Sequence, residues 1–232
     1  MFSFFIKLID SVVWPAFLVV CIWIVFFVNL RYELGLNSYG LHPQKWNDLY
    51  GVVTMIFLHS NFDHLLSNTI PLLLSMGFIF INFSEERASI IVLNSLFTGI
   101  ILFFIGQHGS NHIGASGLVY ALIFFIVTHS FFTRNKEMLA ASFTLIFLYG
   151  SLIYGLFPEF GKLIGKNISW EGHLSGAITG VIFGTLYRNK GPQKPPPLDD
   201  DFDDFEDEYW NSIEIDEEAH NTNIQYTYKE KD

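Results

Sequence analysis

Residues 113–132 read IGASGLVYALIFFIVTHSFF, twenty positions without an Asp, Glu, Lys or Arg. A bilayer core about 30 Å thick is crossed by roughly 20 apolar residues in a helix, so this stretch has the length and composition of a membrane span. It opens on Gly114-Ala115-Ser116-Gly117, three small residues around a hydroxyl, at the point where the chain would enter the membrane. Working outward, five further apolar segments follow the same pattern, at 12–30, 62–83, 89–106, 139–157 and 170–187. The expected fold is therefore all-α, a polytopic membrane protein with a six-helix transmembrane bundle.

Composition agrees with that reading. Of 232 residues, 50% are hydrophobic, 17% aromatic and only 16% charged, which is not the composition of a soluble domain. The net charge of -10 belongs to the C-terminus: from Asp199 onward there are 14 acidic and 2 basic residues. Residues 1–190 are expected to form the membrane domain, and 191–232 a linker containing Pro195-Pro196-Pro197 followed by a disordered acidic tail. The aromatic residues Phe202, Phe205, Tyr209 and Trp210 within that tail leave room for a motif that docks a protein partner. No basic groove for nucleic acid is visible. The polar run His59-Ser60-Asn61, with Asp63 and His64, separates 46–58 from the second span, so 46–58 is expected as an interfacial or re-entrant piece. Ser60 with Asp63 resembles a helix-capping pair. With six spans both termini share a side. Placing them in the cytoplasm puts seven loop cations inside and four outside, which favours that orientation.

Ionisable and polar groups at membrane depth are costly, about 2.5–3.5 kcal/mol for a central charge, and each asks for a reason. They gather at three places: His59, His64 and Asn68 near the start of the second span, Ser116 at the start of the fourth, and Gly172-His173 at the start of the sixth. Successive spans alternate in direction, so the second, fourth and sixth begin on one face. Ser116 and His173 are each expected about one turn inside their helices, at one depth. Gly172, Gly176, Gly180 and Gly184 recur every four residues on the sixth span, and Gly117 and Ala121 do so on the fourth. Small residues at this spacing let helix backbones touch in lipid.

A histidine five residues before a second, an asparagine four further on, then Gly-x-Ser-Gly, then Gly-His-x-x-Gly-x-x-x-Gly, in that order on alternate spans, resembles the rhomboid family. The likeness covers roughly Trp46 to Tyr187. It implies intramembrane serine proteolysis by a Ser-His dyad, with Ser116 as nucleophile and His173 as general base. It also implies an oxyanion hole formed by His64, Asn68 and the Ser116 backbone N–H. His59, Gly114, Gly117, Gly172 and Gly176 are expected in supporting positions, His59 in the loop with a structural hydrogen-bonding task. One departure stands out: family members often carry a Trp-Arg pair in the first loop, where this chain has Tyr50-Gly51.

The chemistry of the residues gives the same roles. A neutral imidazole suits a buried general base, and no acid is placed to orient it, Glu171 lying on another side of the helix from His173. His64 and Asn68, four apart, share one helix face and can both aim at a developing oxyanion. The expected substrates are transmembrane segments of other proteins in the lipid bilayer, and the expected location is a bacterial inner membrane. The alternative is a catalytically silent rhomboid-like protein that binds membrane clients, which would not need both Ser116 and His173. His108 and His112 invite a metal, but no His-Glu-x-x-His motif and no Cys cluster supports one, so no metal or cofactor is expected.

Overall fold

In lipid, backbone N–H and C=O groups must be satisfied within the segment, and the apolar runs of this chain become helices for that reason. The computed structural model describes residues 2–148, 154–157 and 169–193. The described residues form α1 (Phe2–Tyr32), α2 (Gly51–Thr54), α3 (Phe62–Asn82), α4 (Arg87–Ile105), α5 (Ser116–Thr133), α6 (Lys136–Leu148) and α7 (Trp170–Leu186), with short 3₁₀ turns between them. No strand occurs among the described residues beyond a single antiparallel bridge between Leu41 and His112. Four helices are long and apolar enough to cross a membrane: α1 from Leu8, α3, α4 and α5. The acidic tail from Asp199 and most of the second half of the fifth expected span lie outside the described residues.

Helix limits differ from the expected ones where local chemistry overrides hydropathy. The fourth span begins at Ser116 rather than at 113, because Gly114 sits at φ +116° and its N–H donates to the Met55 carbonyl at 2.8 Å instead of entering the helix. Ser116 is thus the first residue of α5, not one turn inside it; His173 is the fourth residue of α7. The cap of α3 is Asn61, whose side chain accepts the His64 N–H at 2.9 Å, and not the expected Ser60 and Asp63 pair. The fifth expected span starts earlier, at Lys136, where the Asn135 side chain accepts the Met138 N–H at 3.0 Å.

Helix α5 is the hub. It is buried on nearly every side, as a helix apolar all round must be. Its closest partner is α7. A Cβ on Gly176 would strike the Gly117 carbonyl oxygen, one on Gly180 the Ala121 oxygen and one on Gly184 the Phe125 oxygen. The contacts advance four residues at a time on both helices and in the same direction, so α5 and α7 run parallel with their starts at one end of the bundle. The glycine spacing read in the sequence is the spacing of that seam.

The first loop, 33–61, is a built structure rather than a tether. Leu41, Val52, Met55 and Ile56 pack with Leu102 and Phe103 of α4. Gly51 faces the backbone of Gly40 and Leu41 so closely that no side chain fits there, which explains in steric terms why an arginine is absent from that register. Asp48 ties the loop instead, its carboxylate 2.7 Å from Lys45 Nζ and 3.2 Å from His42 Nδ1. The Lys45 ammonium holds the Asp48 carboxyl below its usual range, with a further contribution from the Tyr50 hydroxyl. A depressed carboxyl stabilises the fold above its unfolded value of about 4 and ceases to do so as pH falls through its folded value. Asp48→Ala is expected to raise proteolytic nicking within 33–61 at neutral pH, and wild-type loop protection is expected to fall towards the variant's level only below about pH 4. Equal nicking of the two proteins at pH 7 would remove Asp48 from this role.

Candidate active site

Ser116 lies at the N-terminus of α5 because Gly114, in a conformation that favours glycine, turns the chain into the helix just ahead of it. His173 comes up on the first turn of α7, whose N-terminus is capped by Ser169 Oγ accepting from the Gly172 N–H at 3.2 Å. The glycine seam brings the two starts together, and Ser116 Oγ stands 3.0 Å from His173 Nε2. Both side chains are half-buried.

The direction of that hydrogen bond is fixed from behind. His173 Nδ1 lies 2.9 Å from the Gly155 carbonyl oxygen, which only accepts, so Nδ1 carries the ring proton and the neutral ring presents Nε2 as acceptor to the Ser116 hydroxyl. Tyr120, one helical turn beyond Ser116, stacks on the imidazole with ring centroids 4.2 Å apart and planes within 7°. The ring is therefore held by a carbonyl at its edge and an aromatic face beside it. Gly155 is itself constrained, since a Cβ there would lie 2.9 Å from His173 Nδ1 and would collide with the Tyr120 hydroxyl. Glu171 is buried and lies close enough to His112 for its charge to act there, leaving His173 with the Gly155 carbonyl as its orienting group.

His64 and Asn68 stand on the other side of the Ser116 turn. A Cβ at Gly114 would lie 2.6 Å from His64 Nε2 and 3.7 Å from Asn68 Nδ2, so both nitrogens border the backbone two residues ahead of Ser116. Asn68 Nδ2 donates one hydrogen to the His64 carbonyl at 2.9 Å and keeps a second. Ser60 Oγ lies 3.3 Å from His64 Nδ1 and accepts from Asn61 Nδ2 at 3.3 Å, so its own hydrogen is free to be donated to Nδ1, an arrangement that puts the ring proton on Nε2. Gly117, Gly172 and Gly176 lie in the α5–α7 seam beside the pair.

His59 differs from expectation. Its carbonyl accepts from Asn37 Nδ2 at 3.2 Å, but among the described residues neither ring nitrogen has a partner with full hydrogen-bond geometry, the nearby Phe57 carbonyl included. The ring is buried 5.0 Å from that of His64. Burial, and secondarily His64, push its pKa down to about 3, so it stays neutral and serves as packing behind His64. Two residues of the site were missed in the sequence. Tyr120 was signalled only by its four-residue spacing from Ser116. Gly155 contributes a carbonyl, which no residue identity encodes.

Fold and site together define a multi-pass helical membrane protein with a serine and a histidine hydrogen-bonded between two parallel helices. A rhomboid domain profile matches residues 46–190, more than half of the sequence, and the chain belongs to the rhomboid family, whose members are generally intramembrane serine proteases and include inactive ones. Over 153 residues it is 36% identical to an uncharacterized protein of Mycobacterium bovis and, equally, to one of Mycobacterium tuberculosis, the match covering 62% of this chain and 61% of each relative. Over 150 residues it is 33% identical to an uncharacterized protein of Mycobacterium leprae, covering 62% and 58%. The chain thus spans about three-fifths of the length of the curated relatives it matches.

Proposed function

We propose that this protein is an intramembrane serine endopeptidase that hydrolyses peptide bonds in the transmembrane segments of other membrane proteins. The observation that carries the reading is the 3.0 Å contact between Ser116 Oγ and His173 Nε2 with the histidine tautomer set by the Gly155 carbonyl. Ser116 Oγ attacks the scissile carbonyl carbon while His173 Nε2 takes its proton, and Nδ1–H keeps its bond to Gly155 as the ring becomes cationic. The carbonyl oxygen becomes an oxyanion facing His64 Nε2–H, the second Asn68 Nδ2–H and the Ser116 N–H. His173 then protonates the leaving amine as the C–N bond breaks. A water, deprotonated by the same ring, cleaves the acyl ester and restores Ser116.

In this reading α6 and α7 complete a six-span bundle, both termini are cytoplasmic, and the dyad lies just below the outer face of a bacterial inner membrane. A substrate helix hides its carbonyls in its own hydrogen bonds, so cleavage requires a locally unwound segment, and helix-weakening, small side chains are expected around the cut. The alternating polar face of His64 and Asn68 fits a carbonyl brought alongside Gly114.

The test is incubation of the purified full chain, in vesicles, with a transmembrane substrate carrying a helix-weakening cut region, together with labelling by an alkyl fluorophosphonate. Cleavage and labelling are expected for wild type. A folded sample that does neither would instead make the chain a silent client binder. Within the same assay Asn68→Ala is expected to lower turnover about 100-fold with little change in thermal stability. Unchanged turnover would take Asn68 out of the oxyanion hole.

A further inference from the structure

Two side-chain hydrogen bonds join the start of α5 and the turn just ahead of it to the start of α7. One is the Ser116–His173 pair; the other links His112 Nδ1 to Ser169 Oγ at 2.6 Å. The second lies four residues before the first on both segments with the residue types exchanged, histidine on the α5 side and serine on the α7 side, and it uses Nδ1 where the first uses Nε2. His112 is buried, and its backbone pairs with Leu41 of the first loop through two bonds of 2.9 Å.

Every proton in this network has one place to go. Ser110 Oγ lies 2.6 Å from the Gln107 carbonyl and must donate to it, so it accepts from His112 Nε2–H at 2.7 Å. The neutral ring then has an acceptor at Nδ1, to which Ser169 donates while its oxygen accepts the Gly172 N–H. The chain runs from the α7 N-terminus through Ser169, His112 and Ser110 to Gln107 without a conflict. Burial pushes the His112 pKa down, against a weaker opposite effect of Glu171, which keeps the ring in this neutral state.

We propose that His112 is a positioning residue: its bond to Ser169 locks the start of α7 to the turn that carries Ser116 and so sets the reach of His173. This inference rests on the proposed dyad. Small misplacement of reacting groups costs about 100-fold in rate at 1 Å, so loss of a bond one turn away is expressed at the dyad although His112 touches no substrate.

The experiment measures inactivation of the purified full chain by an alkyl fluorophosphonate, separating the binding constant from the chemical step, with thermal unfolding alongside. His112→Ala and Ser169→Ala are each expected to slow the chemical step about tenfold. The binding constant should stay within about twofold in both. The double variant should be no slower than the slower single one, because the two residues share one bond. His112→Asn is expected to recover most of the rate, its Oδ1 standing in for Nδ1 as acceptor from Ser169; His112→Gln, which reaches Ser110 instead, is not. Nitrogen-15 spectra of histidine-labelled wild type should show His112 protonated on Nε2. Additive losses, wild-type rates in His112→Ala, equal rescue by Gln, or the opposite tautomer each overturn the proposal. A folded wild type that fails to label overturns the dyad itself, a result distinct from labelled protein indifferent to His112.

Discussion

His173→Ala is expected to lower cleavage of a transmembrane substrate at least about 1,000-fold, with Ser116 labelling by fluorophosphonate falling in parallel. Removal of the ring leaves the Ser116 hydroxyl without an acceptor for its proton, and a neutral hydroxyl is a poor nucleophile. The oxyanion donors remain, so a small residual rate over water should persist in His173→Ala and likewise in Ser116→Ala, where water alone attacks. The two losses should not add: Ser116→Ala/His173→Ala is expected to match the single variants, because the pair acts as a unit. A variant lacking His173 that still labels at the wild-type rate would mean that another base activates Ser116.

The mechanism also assigns work to groups that are not acids. In a triad an aspartate fixes the histidine tautomer. Here the Gly155 carbonyl does so at 2.9 Å, and Tyr120 holds the ring plane. A neutral carbonyl suits a site in a membrane, where a buried carboxylate would bring its own desolvation cost. Tyr120→Phe keeps the stack and is expected to stay within about threefold of wild type. Tyr120→Ala frees the ring and should cost about tenfold, which corresponds to about 1.4 kcal/mol, the upper end of what an aromatic contact supplies. Equal rates for the two variants would dissociate ring stacking from activity.

What was legible in the sequence follows the physics of each feature. Four of the six expected spans are helices long and apolar enough to cross a membrane, legible because lipid enforces apolar length, and the α5–α7 contact was legible because close backbone approach needs small residues at helical spacing. The Ser116, His173, His64 and Asn68 set could be read because each is a polar group at a depth where polarity needs a cause. Helix starts were read less well. The turn at Gly114 depends on a hydrogen bond to Met55, nearly sixty residues away in sequence, and hydropathy is blind to such a partner. Backbone donors and acceptors are likewise invisible in residue identities, so the Gly155 carbonyl could not have been found. The ion pair of Asp48 with Lys45 in the first loop, and the packing of Gly51 against Gly40 in the register of the family's Trp-Arg pair, appear only in the structure.

Gly176→Ala is expected to destabilise the protein by about 1–3 kcal/mol and to lower activity by about 100-fold, and the sign of the first effect is the informative part. Alanine favours a helix over glycine by about 1 kcal/mol, so on propensity alone the change would stabilise α7. The added Cβ, however, would strike the Gly117 carbonyl oxygen and lie 3.0 Å from Tyr120 Cβ. The first of these is backbone in the turn that carries Ser116 and cannot swing aside as a side-chain tip would. The helices must part, and His173 withdraws from Ser116 as they do. Val181→Ala, on the exposed side of the same helix, removes surface outside the α5–α7 seam and should change neither quantity by more than about 0.5 kcal/mol. Thermal unfolding in detergent and substrate cleavage in vesicles measure both effects. A Gly176→Ala protein as stable and as active as wild type would mean that the α5–α7 seam is looser than 117, 121 and 125 against 176, 180 and 184 allow, and that something other than backbone contact holds the serine to its histidine.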